Sequence, residues 1–240
     1  MRQRSPFFWA ALAGLAVLLA AFAPVGWQMW RGGAVPAGGG AAAAPWAIER
    51  VAAGEVRAFG LRLPGATLAD ARRLWGAELQ LAVIASRERP AALEAYVERW
   101  SGGGLDGRLV LAADADPAAL QRWQQHSPRR ERIEAQAERW ALQPEDAEEA
   151  LRRPVRGLSF LPAARVDAAA LEARFGVPPE RISTADGLQH WIYPERGLAV
   201  AWQAERGRAV VQVAAPADVE ARLRAPLRSA AAAPGSGPTR

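Results

Sequence analysis

Cysteine and lysine are absent from this chain of 240 residues, and histidine occurs only twice. Without cysteine the chain has no disulfide, no thiolate metal site, no lipid attached through a cysteine and no cysteine nucleophile. His126 and His190 are too few and too far apart in sequence to form a metal cluster, so a metal site would have to consist of carboxylates. We therefore expect no metal, no cofactor and no enzymatic activity.

The sequence also lacks a large excess of charge of one sign. All 30 basic residues are arginines, the acidic residues number 25, and the formal net charge is +5 with a sequence pI of about 10.9. A basic balance of this kind raises the possibility of nucleic acid as a partner. Acidic residues are interspersed with the arginines, however, as in Arg129 to Arg132. We expect a solvated surface of mixed charge, without nucleic acid or a small-molecule ligand as partner.

A long uncharged segment lies near the N-terminus, from Phe7 to Trp30. As a helix it would be roughly 36 Å long, which is enough to cross the hydrocarbon core of a membrane. Arg2 and Arg4 precede it, and the positive-inside rule places that end in the cytoplasm. The sequence predicts a single-pass protein of the bacterial inner membrane, with the C-terminal part in the periplasm.

A cleaved signal peptide is the alternative for this segment. Ala21 to Ala23 has the small-x-small form of a processing site. Pro24 follows directly, where we expect it to obstruct cleavage, and the apolar run continues beyond it. We therefore favour an uncleaved anchor.

The remainder of the chain shows a weak internal repeat with a spacing of 100 residues. Thr67 to Gly76 and Asp167 to Gly176 each read as a short helix that ends in an aromatic residue and a glycine. Thr67 and Asp70 fit a capping box, and Asp167 fits an N-cap. The two glycines fit helix-ending positions of left-handed conformation.

Strands are predicted after each of these helices. They are 78–85, 93–100 and a strand starting at Gly107-Arg108 in the first copy, and 189–193, 197–202 and a strand starting at Gly207-Arg208 in the second. Residues 93–100 also fit helical spacing, but the repeat favours a strand. Each copy therefore reads as an α-β-β-β module.

The segment between the copies reads as helical. Ser127-Pro128 is typical of a helix start, and Ile133, Ala137, Trp140 and Ala141 share one face of a helix. The predicted fold class is α+β: an N-terminal transmembrane helix followed by two tandem α-β-β-β modules joined by a helical segment. The predicted segments are a cytoplasmic tip and anchor (1–31), a flexible linker (32–45), the first module (46–116), the helical connector (117–153), the second module (154–227) and a disordered tail (228–240).

The second module resembles a known family. Residues 167–216 contain a helix closed by Phe175-Gly176-Val177-Pro178 and a strand with His190-Trp191-Ile192-Tyr193-Pro194. In these features the segment resembles the α-β-β-β module of the SmpA/OmlA outer-membrane lipoproteins and of beta-lactamase-inhibitor-like domains. The whole chain, with Leu93-Glu94-Ala95-Tyr96, resembles an uncharacterised family of proteobacterial membrane-anchored proteins. SmpA/OmlA proteins are acylated on a cysteine, which this chain lacks.

Aromatic residues form the candidate binding site. Strand alternation places Trp191 and Tyr193 on one face, and Trp202 belongs to the next predicted strand. An exposed set of this kind would be a protein-binding surface, whereas a buried set would be core.

Two other groups of residues are candidate functional sites. His190 has Ser183 and Asp186 just upstream, which supplies the residue types of a catalytic triad. The run Ser101 to Gly104 reads as a hairpin loop rather than a phosphate-binding loop, because no Gly-Lys-Ser/Thr follows. The sequence therefore predicts a protein that binds another cell-envelope protein. The alternatives are a structural or sensory module that modulates a neighbouring membrane complex and, more distantly, a hydrolase.

Overall fold

A computed structural model describes residues 48–86, 90–133, 137–184 and 187–232. In this part the protein is mostly β. The strands are β1 Glu49–Ala52, β2 Glu55–Ala58, β3 Leu61–Leu63, β4 Gln80–Ser86, β5 Ala92–Gly102, β6 Leu105–Ala113, β7 Arg130–Arg132, β8 Ala137–Ala141, β9 Val155–Pro162, β10 Glu180–Ser183, β11 Gln189–Tyr193, β12 Leu198–Gln203 and β13 Arg208–Ala214. The α-helices are α1 Leu68–Trp75, α2 Pro117–His126, α3 Pro144–Leu151, α4 Ala168–Phe175 and α5 Ala225–Ala232.

Ten of the strands form one antiparallel sheet, in the order β10-β11-β12-β13-β9-β6-β5-β4-β8-β7. The other three form a small antiparallel sheet, β1-β2-β3. Strand β9 lies in the middle of the large sheet, between the last strand of each predicted module. Its Phe160 pairs with Leu109 of β6 on one side and with Val211 of β13 on the other.

The predicted fold class is wrong in its central feature, two tandem modules joined by a helical segment. Helix α1 does lead into the meander β4-β5-β6, and α4 leads into the meander β10-β11-β12-β13. The last strand of each meander pairs with β9, so the strands of both meanders belong to one sheet. The second copy also contains β10, where the sequence predicted a polar loop. That strand lies at the edge of the sheet and its side chains are partly or fully exposed, so it lacks the apolar pattern of a core strand.

The membrane anchor also requires correction. No helix in the described ranges is long and apolar enough to cross a bilayer, which contradicts the predicted transmembrane architecture and the inner-membrane location derived from it. The segment on which the prediction rested, Phe7 to Trp30, lies outside those ranges.

The predicted helical connector, 117–153, is a mixture of helices and strands. Between α2 and α3 lies the hairpin β7-β8, which extends the edge of the large sheet. Arg130 Nε donates to Glu138 at 2.8 Å, and Arg139 Nη2 donates to Glu131 at 2.6 Å, so charged pairs cross the two strands. Ser127 follows the last residue of α2 instead of starting a helix. The apolar residues of the connector match helical spacing, but this cross-strand pairing decides the structure.

The predicted capping residues at the helix starts are confirmed. Thr67 and Asp70 form a capping box at the start of α1, and Asp167 accepts a hydrogen bond from the Ala170 amide at the start of α4. Gly76 and Gly176 end these helices at positive φ values of 54° and 80°, but their ψ values of −133° and 178° lie outside the predicted left-handed helical region. The choice of a strand for 93–100 is also confirmed, because these residues belong to β5.

The large sheet is covered by helices on its two faces. On one face its apolar side chains form the main core together with α1 to α4 and the small sheet, as shown by Leu68, Trp123 and Leu171. On the opposite face Ile192 and Ala199 pack against Leu223 of the C-terminal helical segment. Strand alternation accounts for this division, since Trp191 and Ile192 project to opposite sides of β11.

Candidate functional site

The predicted binding residues Trp191, Tyr193 and Trp202 lie together on β11 and β12. Trp191 is 1% exposed and Tyr193 is 5% exposed, while Trp202 is partly buried against the same core. The ring centroids of Trp191 and Trp202 are 5.9 Å apart. The structure thus brings the three side chains together inside the protein and not on an exposed surface.

Two of these aromatic side chains hold α4 in place. Trp202 Nε1 donates to the carbonyl oxygen of Val166, just before the helix, at 3.2 Å. The Tyr193 hydroxyl donates to the carbonyl oxygen of Gly176, just after the helix, at 2.7 Å. Burial raises the pKa of Tyr193, which keeps this donor protonated. The carbonyl groups at the C-terminal end of a helix lack partners within it, so the bond from Tyr193 satisfies one that needs a donor.

His190 is 4% exposed in β11, and the structure does not align it with Ser183. Ser183 pairs with Gln189 in the antiparallel ladder, so its side chain and that of His190 project to opposite faces. Thr184 Oγ1 lies 3.3 Å from Nε2 of His190. Asp186, the third residue of the suggested triad, lies outside the described residues.

His126 links two helices. Its Nδ1 lies 3.2 Å from Oδ2 of Asp146, which belongs to the first turn of α3 and is 6% exposed. The neighbouring Ser127 hydroxyl donates to the carbonyl oxygen of Ala141 at 2.7 Å. Because a buried carboxylate requires a polar partner, this arrangement stabilises the packing of α2 against α3.

The glycine-rich run from Ser101 to Gly104 closes the hairpin of β5 and β6, as predicted: Ser101 and Gly102 end β5, and Gly103 and Gly104 form the turn. Gly103 and Gly104 have φ values of 60° and 79°, which the tight connection requires. In the ranges that the structure describes, no group of three or more acidic or histidine side chains could hold a metal ion.

A surface groove lies between the hairpin of β2 and β3 and helix α1. Its volume is about 570 Å³, and it was not among the predicted sites. Its lining includes the side chains of Glu55, Arg62, Asp70, Arg73 and Leu74, with Gly60 on the wall opposite Leu74.

The hairpin is fixed to the core through its turn. Phe59 has a φ of 53° and Gly60 a φ of 83°, a pattern typical of the tight turns that join antiparallel strands. The Phe59 ring packs against Trp100 and Phe160, with ring centroids 5.4 Å and 5.3 Å away. The turn is therefore anchored by an aromatic cluster, and this anchorage positions one wall of the groove.

Helix α1 forms the other wall. Leu68 and Ala71 on its inner face are fully buried, whereas Leu74, at the border of that face, is 49% exposed. A Cβ atom placed on Gly60 would lie 3.1 Å from Cδ1 of Leu74. The two walls thus approach each other where one of them has no side chain.

Two ion pairs line the groove. Arg62 Nε donates to Oε2 of Glu55 at 2.8 Å, and Arg73 pairs with Asp70. The backbone amide of Thr67 donates to Asp70 and is the main cause of the lowered pKa of that carboxyl, with further contributions from the Thr67 hydroxyl and Arg73. Asp70 is consequently ionised at neutral pH.

Comparisons of the chain with protein-family models, with curated proteins and with solved structures find no match. The resemblance to the SmpA/OmlA module stays a prediction. The groove was missed in the sequence because its residues, from 55 to 74, come from a hairpin and a helix with no shared motif. No local signal marks Leu74 as exposed, because its spacing of three residues from Ala71 fits the buried face of a helix.

Proposed function

We propose that this protein acts by binding another protein through the groove between β2-β3 and α1. The observation that carries the proposal is the half-exposed Leu74 in a groove that also presents two ion pairs. Protein interfaces commonly combine an apolar centre with a polar rim, and a few central side chains supply most of the affinity.

The proposal differs from the sequence-based prediction in the residues that bind the partner. It uses Leu74 in place of Trp191, Tyr193 and Trp202, because Trp191 and Tyr193 are buried and Tyr193 and Trp202 hold α4 in place. The expectation that the partner belongs to the cell envelope stays a prediction, since it depended on the membrane anchor.

The first step of the test is site-specific photocrosslinking in cells. A photoreactive amino acid at Leu74 should capture a protein that is not captured from Val177. Val177 is a suitable control because it is another large apolar residue at the surface, 77% exposed, and follows α4 rather than α1.

The second step uses the captured protein in purified form. Leu74→Ala should weaken its binding about tenfold or more, whereas Val177→Ala should leave the affinity unchanged. Leu74 is half exposed, so Leu74→Ala should lower the free energy of unfolding only by about 1 kcal/mol. Equal capture from both positions, or an affinity unaffected by Leu74→Ala, would contradict the proposal.

A further inference from the structure

The charged groups of the groove are not equally accessible. The side chains of Arg62 and Arg73 are 54% and 77% exposed, whereas those of Glu55 and Asp70 are 29% and 33% exposed. A partner approaching the groove therefore encounters guanidinium groups more readily than carboxylates.

The carboxylate of Asp70 is also engaged in hydrogen bonds that cap α1. Its Oδ2 accepts from the amide of Thr67 at 2.7 Å and from the Thr67 hydroxyl at 2.8 Å, within the capping box of α1. Arg73 pairs with the other oxygen, Oδ1. A guanidinium has five N–H donors, so Arg73 has capacity for a further acceptor while Asp70 remains bound to Thr67.

Arg62 has a similar capacity. Its Nε and Nη2 both approach Oε2 of Glu55, which uses one edge of the guanidinium. Arginine binds carboxylates through pairs of parallel N–H donors, so the other edge of the Arg62 guanidinium can bind a second carboxylate. The formal charge of +5 acts in the same direction, because a basic protein attracts an acidic partner during encounter.

We infer that the groove takes an acidic peptide segment with one apolar side chain at its centre. This inference rests on the proposed function and specifies the chemistry of the partner at the same site. The apolar side chain of the peptide lies against the exposed part of Leu74, and carboxylates on either side of it bind Arg62 and Arg73. Leu74 itself packs against Gly60, since a Cβ there would lie 3.1 Å from Cδ1 of Leu74, and this contact holds the leucine in place while half of it stays exposed.

Fluorescence anisotropy with short labelled peptides and the full chain tests the inference. The first peptide has a central leucine flanked by aspartate and glutamate, the second replaces these acids by asparagine and glutamine, and the third replaces them by lysine. The acidic peptide should bind about tenfold more tightly than the amide peptide, and added salt should reduce this difference.

Variants of the groove supply the matched comparison. Arg62→Gln and Arg73→Gln should each weaken binding of the acidic peptide about threefold to tenfold, because each loses one exposed ion pair with the peptide. Arg174→Gln should leave it unchanged, since Arg174 is an exposed arginine on α4, at the position equivalent to Leu74 in the repeat. Glu55→Gln should strengthen binding about twofold to threefold by releasing Arg62, a gain that partial unfolding would not produce.

Several results would overturn the inference. They are equal binding of the acidic and amide peptides, tighter binding of the lysine peptide, no binding of the acidic peptide, and an affinity unaffected by Arg62→Gln and Arg73→Gln. The proposed function is judged separately by crosslinking at Leu74. A captured partner whose contacting segment is neutral or basic would retain protein binding and reject the acidic segment.

Discussion

At the scale of single residues, two glycines 100 positions apart end their helices in the same way. The amide of Gly76 donates to the carbonyl of Arg72, and the amide of Gly176 donates to the carbonyl of Glu172. Their φ values are 54° and 80°, with ψ values of −133° and 178°. This conformation is close to a region that is essentially restricted to glycine, and it differs from the left-handed helical region predicted from the sequence.

The ψ values of Gly76 and Gly176 differ from those of the left-handed helical region, which gives a prediction for the replacement of such a glycine by asparagine. Asparagine tolerates the left-handed helical region but not the extended region at positive φ. Gly176→Asn should therefore lower the free energy of unfolding by about 1–3 kcal/mol, although a Cβ there would meet no atom within 4 Å.

Gly207→Asn is the control. Gly207 has φ 60° and ψ 27°, within the left-handed helical region, so its backbone should accept asparagine at lower cost, although a Cβ there would lie 3.2 Å from Cβ of Arg165. Urea unfolding of the two variants measures both values. A loss below about 0.5 kcal/mol for Gly176→Asn would show that the backbone conformation of Gly176 is not the limiting factor.

At the scale of elements, α4 is held by the strands beneath it through Tyr193 and Trp202. Tyr193→Phe removes the donor to the Gly176 carbonyl and should lower the free energy of unfolding by about 0.5–1.5 kcal/mol. Amide hydrogen exchange should accelerate in α4 but not in α1. Tyr96→Phe is the comparison, because Tyr96 is the other tyrosine and its hydroxyl donates to Gln80 at 2.9 Å, in the first half of the sheet.

The same tyrosine gives a prediction about pH. Burial raises the pKa of Tyr193 in the folded protein above its value in the unfolded chain. Its contribution to stability is therefore complete below the unfolded pKa near 10 and is lost as the pH rises through the folded pKa. Tyr193→Phe should make the free energy of unfolding less sensitive to alkali above about pH 10. An unchanged slope in this range would contradict the assignment.

Elements with a local signal were predictable from the sequence. The capping box of Thr67 and Asp70 and the N-cap Asp167 determine where α1 and α4 begin, because these interactions involve neighbouring residues only. The hairpin β7-β8 was not predictable in this way, since its apolar residues also fit a helix and the pairing of Arg130 with Glu138 appears only in the folded chain.

The exposure of the candidate site residues was not predictable from the sequence either. An aromatic residue in a strand is equally suited to a core and to an interface, and burial is decided by the elements that cover the strand. Trp191 is buried in the main core, to which α4 contributes Leu171 and Phe175, whereas Leu74 is half exposed at the edge of α1. The sequence supplied both residue types but not their exposure.

At the scale of the whole molecule, β9 joins the two halves in one sheet, and we expect them to unfold as one cooperative unit. Its Phe160 is completely buried, and its ring lies 5.3 Å from Phe59 and 5.6 Å from Trp100 between centroids. On the other side the backbone of Phe160 pairs with Val211. The aromatic cluster and the strand pairing thus connect the small sheet, the first meander and the second meander.

Phe160→Ala should lower the free energy of unfolding by about 3–5 kcal/mol. The unfolding of both halves should shift together in urea, as monitored by hydrogen exchange in α1 and in α4. Leu74→Ala, at a half-exposed site, is the control and should have a small effect. Two separate transitions, with only one shifted by Phe160→Ala, would contradict a single cooperative unit.

The central position of β9 also has a consequence for the timing of synthesis. Strand β6 is made before β9, so one edge of β9 finds its partner as soon as it leaves the ribosome. Its other partner, β13, ends at Ala214, about 50 residues after Pro162. At roughly 5–20 residues per second, the second edge of β9 stays without this partner for about 3–10 s. During that interval the nascent chain presents an open strand, and it is then that a chaperone would protect it from pairing with another chain.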